Sequence, residues 1–173
     1  VLKKGEDKRF KELKTSPVKF FMTWTLQGMW VSLCSLCALT AIASKTGVVV
    51  NGLFYLGVVI FILGFGLEIT ADVQKTRFRA DPKNEHRFIS SGLWSYSRHP
   101  NYLGEIILWT GIAISSSSSL QGTQYFTLIS PLFTYLLLVH VSGINILEKN
   151  GQKKWGHLKQ YEEYLKKTPK LLF

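Results

Sequence analysis

The chain has 173 residues, of which 46% are hydrophobic, and its formal net charge at pH 7 is +10. The hydrophobic residues form long blocks instead of an amphipathic pattern, which argues against a soluble domain and for a membrane protein. No nucleic-acid-binding motif accompanies the basic residues, so we expect no nucleic acid partner and assign most of this charge to contact with anionic lipid headgroups.

Successive apolar blocks predict transmembrane helices, because about 20 residues span the hydrocarbon core of a bilayer. The first block contains Cys34 and Cys37, which we interpret as small buried side chains and not as a redox or zinc pair. The third is the weakest, since its apolar part ends at Ile114 before a run of serines. The predicted spans are residues 20–44, 48–69, 101–119 and 126–147. The predicted fold class is therefore all-α: an integral membrane helical bundle of about four transmembrane helices in a single domain, residues 1–173.

The distribution of Lys and Arg predicts the orientation of these spans, because basic residues in short loops stay on the cytoplasmic side. Residues 1–19, 70–100 and 148–173 contain seven, six and seven of the 21 Lys and Arg residues, and the remaining one is Lys45. We therefore predict that both termini are cytoplasmic, with a cytoplasmic loop over residues 70–100 and a cytoplasmic tail over residues 148–173.

The end of the second block carries charged residues along one helical face, provided that the helix continues beyond the membrane. Glu68 and Asp72 lie one turn apart, and Lys75 and Arg79 continue the same face. This helix exit and the following helix entry near residue 100 are both rich in Arg, Lys, Asn and Tyr, and basic side chains near aromatic rings suit phosphate groups and a flat heterocycle. The two segments together therefore predict a dinucleotide site. A loop that binds lipid headgroups is the alternative.

Residues 97–105 are the most informative segment, because Arg98 and His99 run directly into an apolar helix that begins with a proline. Asn101 and Glu105 are four residues apart and share a face of that helix. A carboxylate in hydrocarbon costs several kcal/mol unless it has a partner. We interpret this segment as part of a binding site, with interfacial anchoring and a structural hydrogen bond as the alternative.

The C-terminal segment predicts an interfacial amphipathic helix, because apolar residues recur near helical spacing between Trp155 and Leu165 while lysines fill other positions. Such a helix could lie on the membrane surface or close over the 70–100 loop. In the second arrangement, Glu148 and Lys149 at the exit of the fourth span point at the same pocket.

These segments together resemble the C-terminal part of the steroid 5-alpha-reductase superfamily, especially its broadly distributed and poorly characterised branch. The resemblance rests on residues 72–79, 92–105, 148–149 and 161–169, and it extends over nearly the whole chain. It implies an NADPH-dependent oxidoreductase that acts on CH–CH groups and delivers hydride to a carbon–carbon double bond in a steroid or other lipid. The implied cofactor-binding residues are Asp72, Lys75, Arg79, Tyr96, Arg98, His99, Asn101, Tyr102, Glu105, Glu148, Lys149 and Tyr164.

The resemblance assigns no catalytic residue. In the steroid reductases the acid and tyrosine that polarise the substrate come from helices nearer the N-terminus, and we expect this chain to begin after them. The implied partners are a lipid or steroid substrate, the bilayer and, in one alternative, other subunits of a membrane complex. The family's usual eukaryotic location is the endoplasmic reticulum, and other organelle membranes stay open.

Two other functions remain open from the sequence. Methyltransferases of the isoprenylcysteine and phospholipid type use S-adenosylmethionine and also carry Arg-His-Pro before a tyrosine and a glycine. Asn101 with Glu105, and Lys75 with Arg79, favour the reductase, because a dinucleotide has phosphate charges to neutralise. The other alternative is a catalytically inactive structural subunit that retains a nucleotide- or lipid-binding loop. We identify no metal-binding pattern.

Overall fold

The computed structural model describes residues 16–141 and 143–172, and it contains helices and no strand within these ranges. The predicted all-α fold class is thereby confirmed. The basic residues predicted to be cytoplasmic within the segment 1–15 lie outside the described part of the chain. The helices are α1 (Pro17–Ala43), α2 (Gly52–Ala80), α3 (Pro100–Ser117), α4 (Ser130–Leu136), α5 (Ile144–Trp155) and α6 (Lys159–Lys167).

Among the described residues, three helical stretches are long and apolar enough to cross a membrane: α1, α2 and the stretch Gly122–Trp155. The chain is therefore an integral membrane protein. Helix α3 has 18 residues, which reach about 27 Å at 1.5 Å per residue and fall slightly short of a 30 Å core. Its assignment as a further span stays a prediction.

Helix α2 is longer than the apolar block that predicts it. Asn51 caps its start, since the Asn51 Oδ1 atom accepts a hydrogen bond of 3.1 Å from the backbone N–H of Phe54. The helix continues past residue 69, the predicted end of the span, to Ala80, and Pro82 follows two residues later. The charged residues between 68 and 79 therefore lie on one continuous helix.

Helices α2 and α3 pack antiparallel through glycines, a contact that the sequence analysis did not predict. Gly64 of α2 lies against Gly104 of α3, and Gly57 lies against Gly111. A Cβ atom on Gly104 would be 2.6 Å from the backbone nitrogen of Glu68, so the two backbones touch directly. The seven-residue spacing in both helices fixes their register and brings the end of α2 to the loop that precedes α3.

The segment predicted as the fourth span, residues 126–147, is interrupted and not one continuous helix. It consists of the 3-10 helix Gly122–Ile129, helix α4, a π-helical turn over Leu137–Val141 and the start of α5. The side-chain amide of Asn145 donates a 3.2 Å hydrogen bond to the carbonyl of His140, which satisfies one backbone group at the interruption. Apolar composition alone does not reveal such a break.

Helix α1 packs on α4 through a buried polar contact. The Cys34 sulfur lies 3.3 Å from Thr134 Oγ1, and the Ser130 hydroxyl donates to the Cys37 sulfur at 3.0 Å. Both cysteines are buried and unoxidised. Their interpretation as small buried side chains is confirmed.

The tail contains two helices where the sequence suggests one. Trp155 ends α5, and α6 begins only at Lys159 after a short turn. The apolar residues between 155 and 165 therefore come from two elements, because Gly156 and its neighbours break the helical period. Helix α6 folds back against the loop before α3 instead of continuing α5.

Candidate functional site

A cavity of about 130 Å³ lies where the end of α2, the loop before α3, α5 and α6 meet. Residues separated by up to 90 positions in the sequence meet here. This is expected if the tail closes over the 70–100 loop. The predicted site residues that line this cavity are Lys75, Arg79, Arg98, His99, Glu148 and Tyr164.

Arg98 is the most constrained of these residues. Its backbone N–H donates a 2.9 Å hydrogen bond to the carbonyl of Pro169, and its Nη1 atom lies 3.2 Å from Glu148 Oε1. Only 12% of its side chain is exposed. Its Nε atom is buried and has no hydrogen-bond partner among the described residues. A buried donor without an acceptor costs about 1–3 kcal/mol, so this atom is suited to an incoming acceptor.

His99 shares the carboxylate of Glu148 with Arg98. Its Nε2 atom lies 3.2 Å from the same Oε1 atom, and its side chain is 8% exposed. The imidazole stacks on the ring of Tyr102 with centroids 5.8 Å apart and an interplanar angle of 13°. Tyr102 therefore packs against His99, which lines the cavity, and does not itself line it.

Trp94 fixes the loop before α3 to helix α2, a role that the sequence analysis did not assign. Its indole N–H donates a 3.1 Å hydrogen bond to the carbonyl of Ala71, and its ring lies 4.7 Å from the ammonium of Lys75. Gln74 accepts a 2.9 Å hydrogen bond from the backbone N–H of Leu93. Gly92 precedes this contact with a φ of +62°, a conformation that favours glycine. In the sequence, the short distance between Gly92 and Trp94 was the feature that could have indicated this contact between the loop and α2.

Aromatic rings from three separate segments form one wall of the cavity. Phe88 lies at their centre, with ring centroids 5.0 Å from Tyr161, 5.3 Å from Tyr164 and 6.1 Å from Trp155. The Trp155 indole also donates a 3.0 Å hydrogen bond to the carbonyl of His86. These edge-on and tilted pairs are the geometry that aromatic quadrupoles favour.

The tail is fastened to the loop by hydrogen bonds. The Tyr164 hydroxyl donates to the carbonyl of Trp94 at 2.7 Å, and the Ser97 hydroxyl donates to the carbonyl of Lys170 at 3.2 Å. Burial raises the pKa of Tyr164 to about 12, while nearby Arg98 acts in the opposite direction. Among the two arrangements considered for the tail, the structure has the one that closes over the loop.

Replacing Tyr164 with phenylalanine is expected to weaken this attachment by about 1 kcal/mol, because one net hydrogen bond is lost while the ring packing stays. Burial raises the pKa of Tyr164 from its ordinary value of 10.0 to about 12 in the folded protein. Its stabilisation is therefore complete below pH 10.0 and is lost as pH rises towards 12. Thermal unfolding from neutral to alkaline pH should show a shallower decline in Y164F than in the wild type.

The matched control is Tyr125→Phe, because Tyr125 is exposed and lies outside the cavity. It should leave the alkaline decline unchanged. Parallel stability curves for the wild type and Y164F would contradict the assignment.

The other predicted site residues do not line this cavity. Asp72 borders a second cavity of about 410 Å³ on the side of α2, together with Glu68. Tyr96 is 77% exposed, and Lys149 is exposed on α5. Three further predicted site residues lie half-buried on α3 outside this cavity: Asn101, Tyr102 and Glu105.

Glu105 was expected to need a partner inside the membrane. The Trp109 side chain, one helical turn further along α3, lies near its carboxylate. The role of Glu105 toward a ligand stays a prediction.

The family model described as a protein of unknown function, DUF1295, matches residues 1–168. The chain belongs to this family. DUF1295 is a steroid 5-alpha-reductase-like family, so the resemblance suggested by the sequence is confirmed.

Curated relatives of this DUF1295 chain include enzymes of two kinds. The human 3-oxo-5-alpha-steroid 4-dehydrogenase 2 is 40% identical over 65 residues, which are 38% of this chain and 26% of that protein. A probable 7-dehydrocholesterol reductase of Acanthamoeba polyphaga mimivirus is 31% identical over 135 residues, 69% of this chain and 28% of the relative. The probable O-methyltransferase ustE of Ustilaginoidea virens is 32% identical over 114 residues, 57% of this chain and 40% of the relative.

The matched segments span between about a quarter and two fifths of the length of these relatives. No solved structure matches the chain significantly.

Proposed function

We propose that this chain contributes to a membrane-embedded, NADPH-dependent reductase of a carbon–carbon double bond in a steroid or other lipid. The observation that supports it most is the buried, unpartnered Nε atom of Arg98 in a cavity that Lys75 and Arg79 also line. The two relatives named as a steroid dehydrogenase and a sterol reductase support the same function.

The charges of the cavity suit an anionic ligand. Lys75, Arg79 and Arg98 contribute positive charge, and Glu148 is the carboxylate among the lining residues. Phosphate oxygens accept charge-assisted hydrogen bonds from guanidinium and ammonium groups, and an arginine offers donors in a fixed fork. The net positive charge therefore favours the phosphate groups of a dinucleotide.

The size of the cavity limits which part of the cofactor it can hold. Its volume of about 130 Å³ is below the roughly 300–1,000 Å³ of pockets that enclose whole ligands. The residues thus fit the phosphate-bearing part of NADPH, and the remainder must extend beyond the cavity. We propose that Asn101 and Glu105 on α3 hydrogen-bond amide or ribose groups of that remainder.

Bound NADPH would supply the hydride, and the residues of this chain would bind the cofactor and shield it from water. In this proposal Lys75, Arg79 and Arg98 hold the phosphates, while Phe88 and Trp155 exclude water and offer a flat surface to a base. The lipid or steroid substrate would reach the site from the bilayer. We place both termini and the 70–100 loop on the cytoplasmic side, and the protein in the endoplasmic reticulum if its source is eukaryotic.

A membrane methyltransferase is the second candidate, because one relative is a probable O-methyltransferase. Its cofactor, S-adenosylmethionine, has a cationic sulfonium that the aromatic wall around Phe88 could attract. The positive charge of Lys75, Arg79 and Arg98 opposes that cation. The cavity therefore favours the dinucleotide over the sulfonium.

Titration of the purified protein with NADPH, NADH and S-adenosylmethionine should separate these functions. Trp94 and Trp155 line the cavity, so their intrinsic fluorescence is expected to change when a ligand binds. We expect saturable changes with both nicotinamide dinucleotides and none with the sulfonium compound. Binding of S-adenosylmethionine alone would favour the methyltransferase, and binding of none of the three would favour a structural subunit.

A further inference from the structure

Building on the proposed function, we infer that Glu148 is a positioning residue for the phosphate site and does not itself contact the cofactor. The family resemblance implies that Glu148 is a cofactor-binding residue. Its contacts in the structure lead to a different role, in which it holds the Arg98 guanidinium and the His99 imidazole in place.

A single oxygen of Glu148 serves two side chains. The Oε1 atom lies 3.2 Å from Arg98 Nη1 and 3.2 Å from His99 Nε2. Because an ionised carboxylate only accepts hydrogen bonds, Nε2 must carry a proton in this contact. One carboxylate thus fixes the orientation of the guanidinium and the tautomer of the imidazole, while Arg98 Nε stays unpartnered among the described residues.

The backbone on both sides of this contact is itself anchored. Glu148 lies on α5, one turn before Gly151, whose Cα faces the hydroxyl of Tyr161 so closely that a Cβ atom would collide with it. Arg98 is held from the other side by the 2.9 Å hydrogen bond from its backbone N–H to Pro169. Glu148 therefore presents its carboxylate from a fixed helix to a fixed loop, which is the arrangement of a group that orients another.

The sign of the effect on anion binding distinguishes positioning from simple proximity. A carboxylate near a phosphate repels it, so removing the charge would strengthen anion binding if Glu148 acted only through space. If Glu148 positions Arg98, removing it frees the guanidinium to adopt other rotamers and weakens anion binding, because the preorganisation is lost. The two roles predict opposite changes.

The test uses the whole chain in detergent, with inorganic pyrophosphate and NADPH as separate probes. Glu148→Ala is expected to weaken the affinity for both by about tenfold, the scale seen when the partners that orient metal ligands are removed. Glu148→Gln keeps an oxygen acceptor for Arg98 Nη1 and should recover most of the affinity. Glu162→Ala removes a carboxylate from an exposed position on α6 and should change neither affinity.

A second background shows whether Glu148 acts through Arg98. In a chain that already carries Arg98→Ala, adding Glu148→Ala should cause no further loss of pyrophosphate affinity. A full additional loss there would overturn the inference, because Glu148 would then act on the ligand by another route.

The outcomes separate this inference from the proposed function. Tighter pyrophosphate binding by E148A, or by Glu148→Leu where E148A does not fold, would overturn the positioning role and leave the reductase proposal standing, because both variants remove the charge together with the acceptor. A wild-type protein that binds neither NADPH nor pyrophosphate would overturn both.

Discussion

Replacing Gly64 with alanine is expected to destabilise the bundle by about 3 kcal/mol or more, the upper end of the usual cost of overpacking. A Cβ atom at this position would lie 2.7 Å from the carbonyl oxygen of Gly104 and closer still to the backbone nitrogen of Leu108. Backbone atoms cannot rotate away as a flexible side chain can. The new methyl group must therefore push α2 and α3 apart along their whole contact.

Helix α2 itself contains the matched control, Gly66→Ala. Apart from its chain neighbours and the adjacent turns of its own helix, no described residue has an atom within 4 Å of the ideal Cβ position of Gly66, so the added methyl group meets open space. Alanine has a higher helix propensity than glycine by about 1 kcal/mol, so this variant should be as stable as the wild type or slightly more stable. Thermal unfolding in detergent measures both. Equal effects of the two substitutions would show that the glycine contact does not hold the helices together.

Gly64→Ala should also weaken ligand binding, because the glycine contact sets the register of α2 against α3, and this register forms the cavity. Lys75 and Arg79 lie at the end of α2, whereas Arg98 and His99 directly precede α3. When α2 and α3 separate or slide, the basic residues of α2 and those that precede α3 no longer face the same cavity. The stability and binding effects of Gly64→Ala should therefore appear together.

Local sequence patterns predicted the parts of the site that one helix or one turn determines. Helical spacing groups Lys75 with Arg79, which both line the cavity, whereas Glu68 and Asp72 of the same predicted face border the second cavity. The position of Arg98 and His99 at the entry of α3 follows from Pro100, which begins that helix. Such patterns need no knowledge of how the helices pack.

The remaining parts depend on packing between distant segments, which a single sequence does not specify. Phe88, Trp155 and Tyr164 belong to three separate segments and meet only because α5 and α6 both pack against the loop. Asn101 shares a helical face with Glu105 as predicted from spacing, yet that face lies outside the cavity that Arg98 lines. Helical spacing determines which residues share a face, and only the register of α2 against α3 determines what that face meets.

Arg98→Ala is expected to lower NADPH affinity by at least about 100-fold. Hydrogen bonds to charged groups contribute about 1.5–3 kcal/mol each, and a factor of 100 corresponds to about 2.8 kcal/mol. The loss is large because Arg98 is held rigidly and its Nε donor has no other partner among the described residues. Fluorescence titration, at a temperature where the variant remains folded, gives the affinity.

Two further variants show whether the charge of Arg98 or the geometry of its guanidinium binds the cofactor. Arg77→Ala removes an equal charge from an exposed position on α2 that does not line the cavity, so it should change the affinity by less than about threefold. Arg98→Lys keeps the positive charge but loses the Nε donor and the planar fork, and its ammonium cannot satisfy Glu148 and a phosphate in the same geometry. If charge alone attracts the cofactor, the lysine variant will bind like the wild type. If the oriented guanidinium is the binding group, as the contact with Glu148 implies, the lysine variant should lose about tenfold or more, since each hydrogen bond to a charged group is worth at least that much.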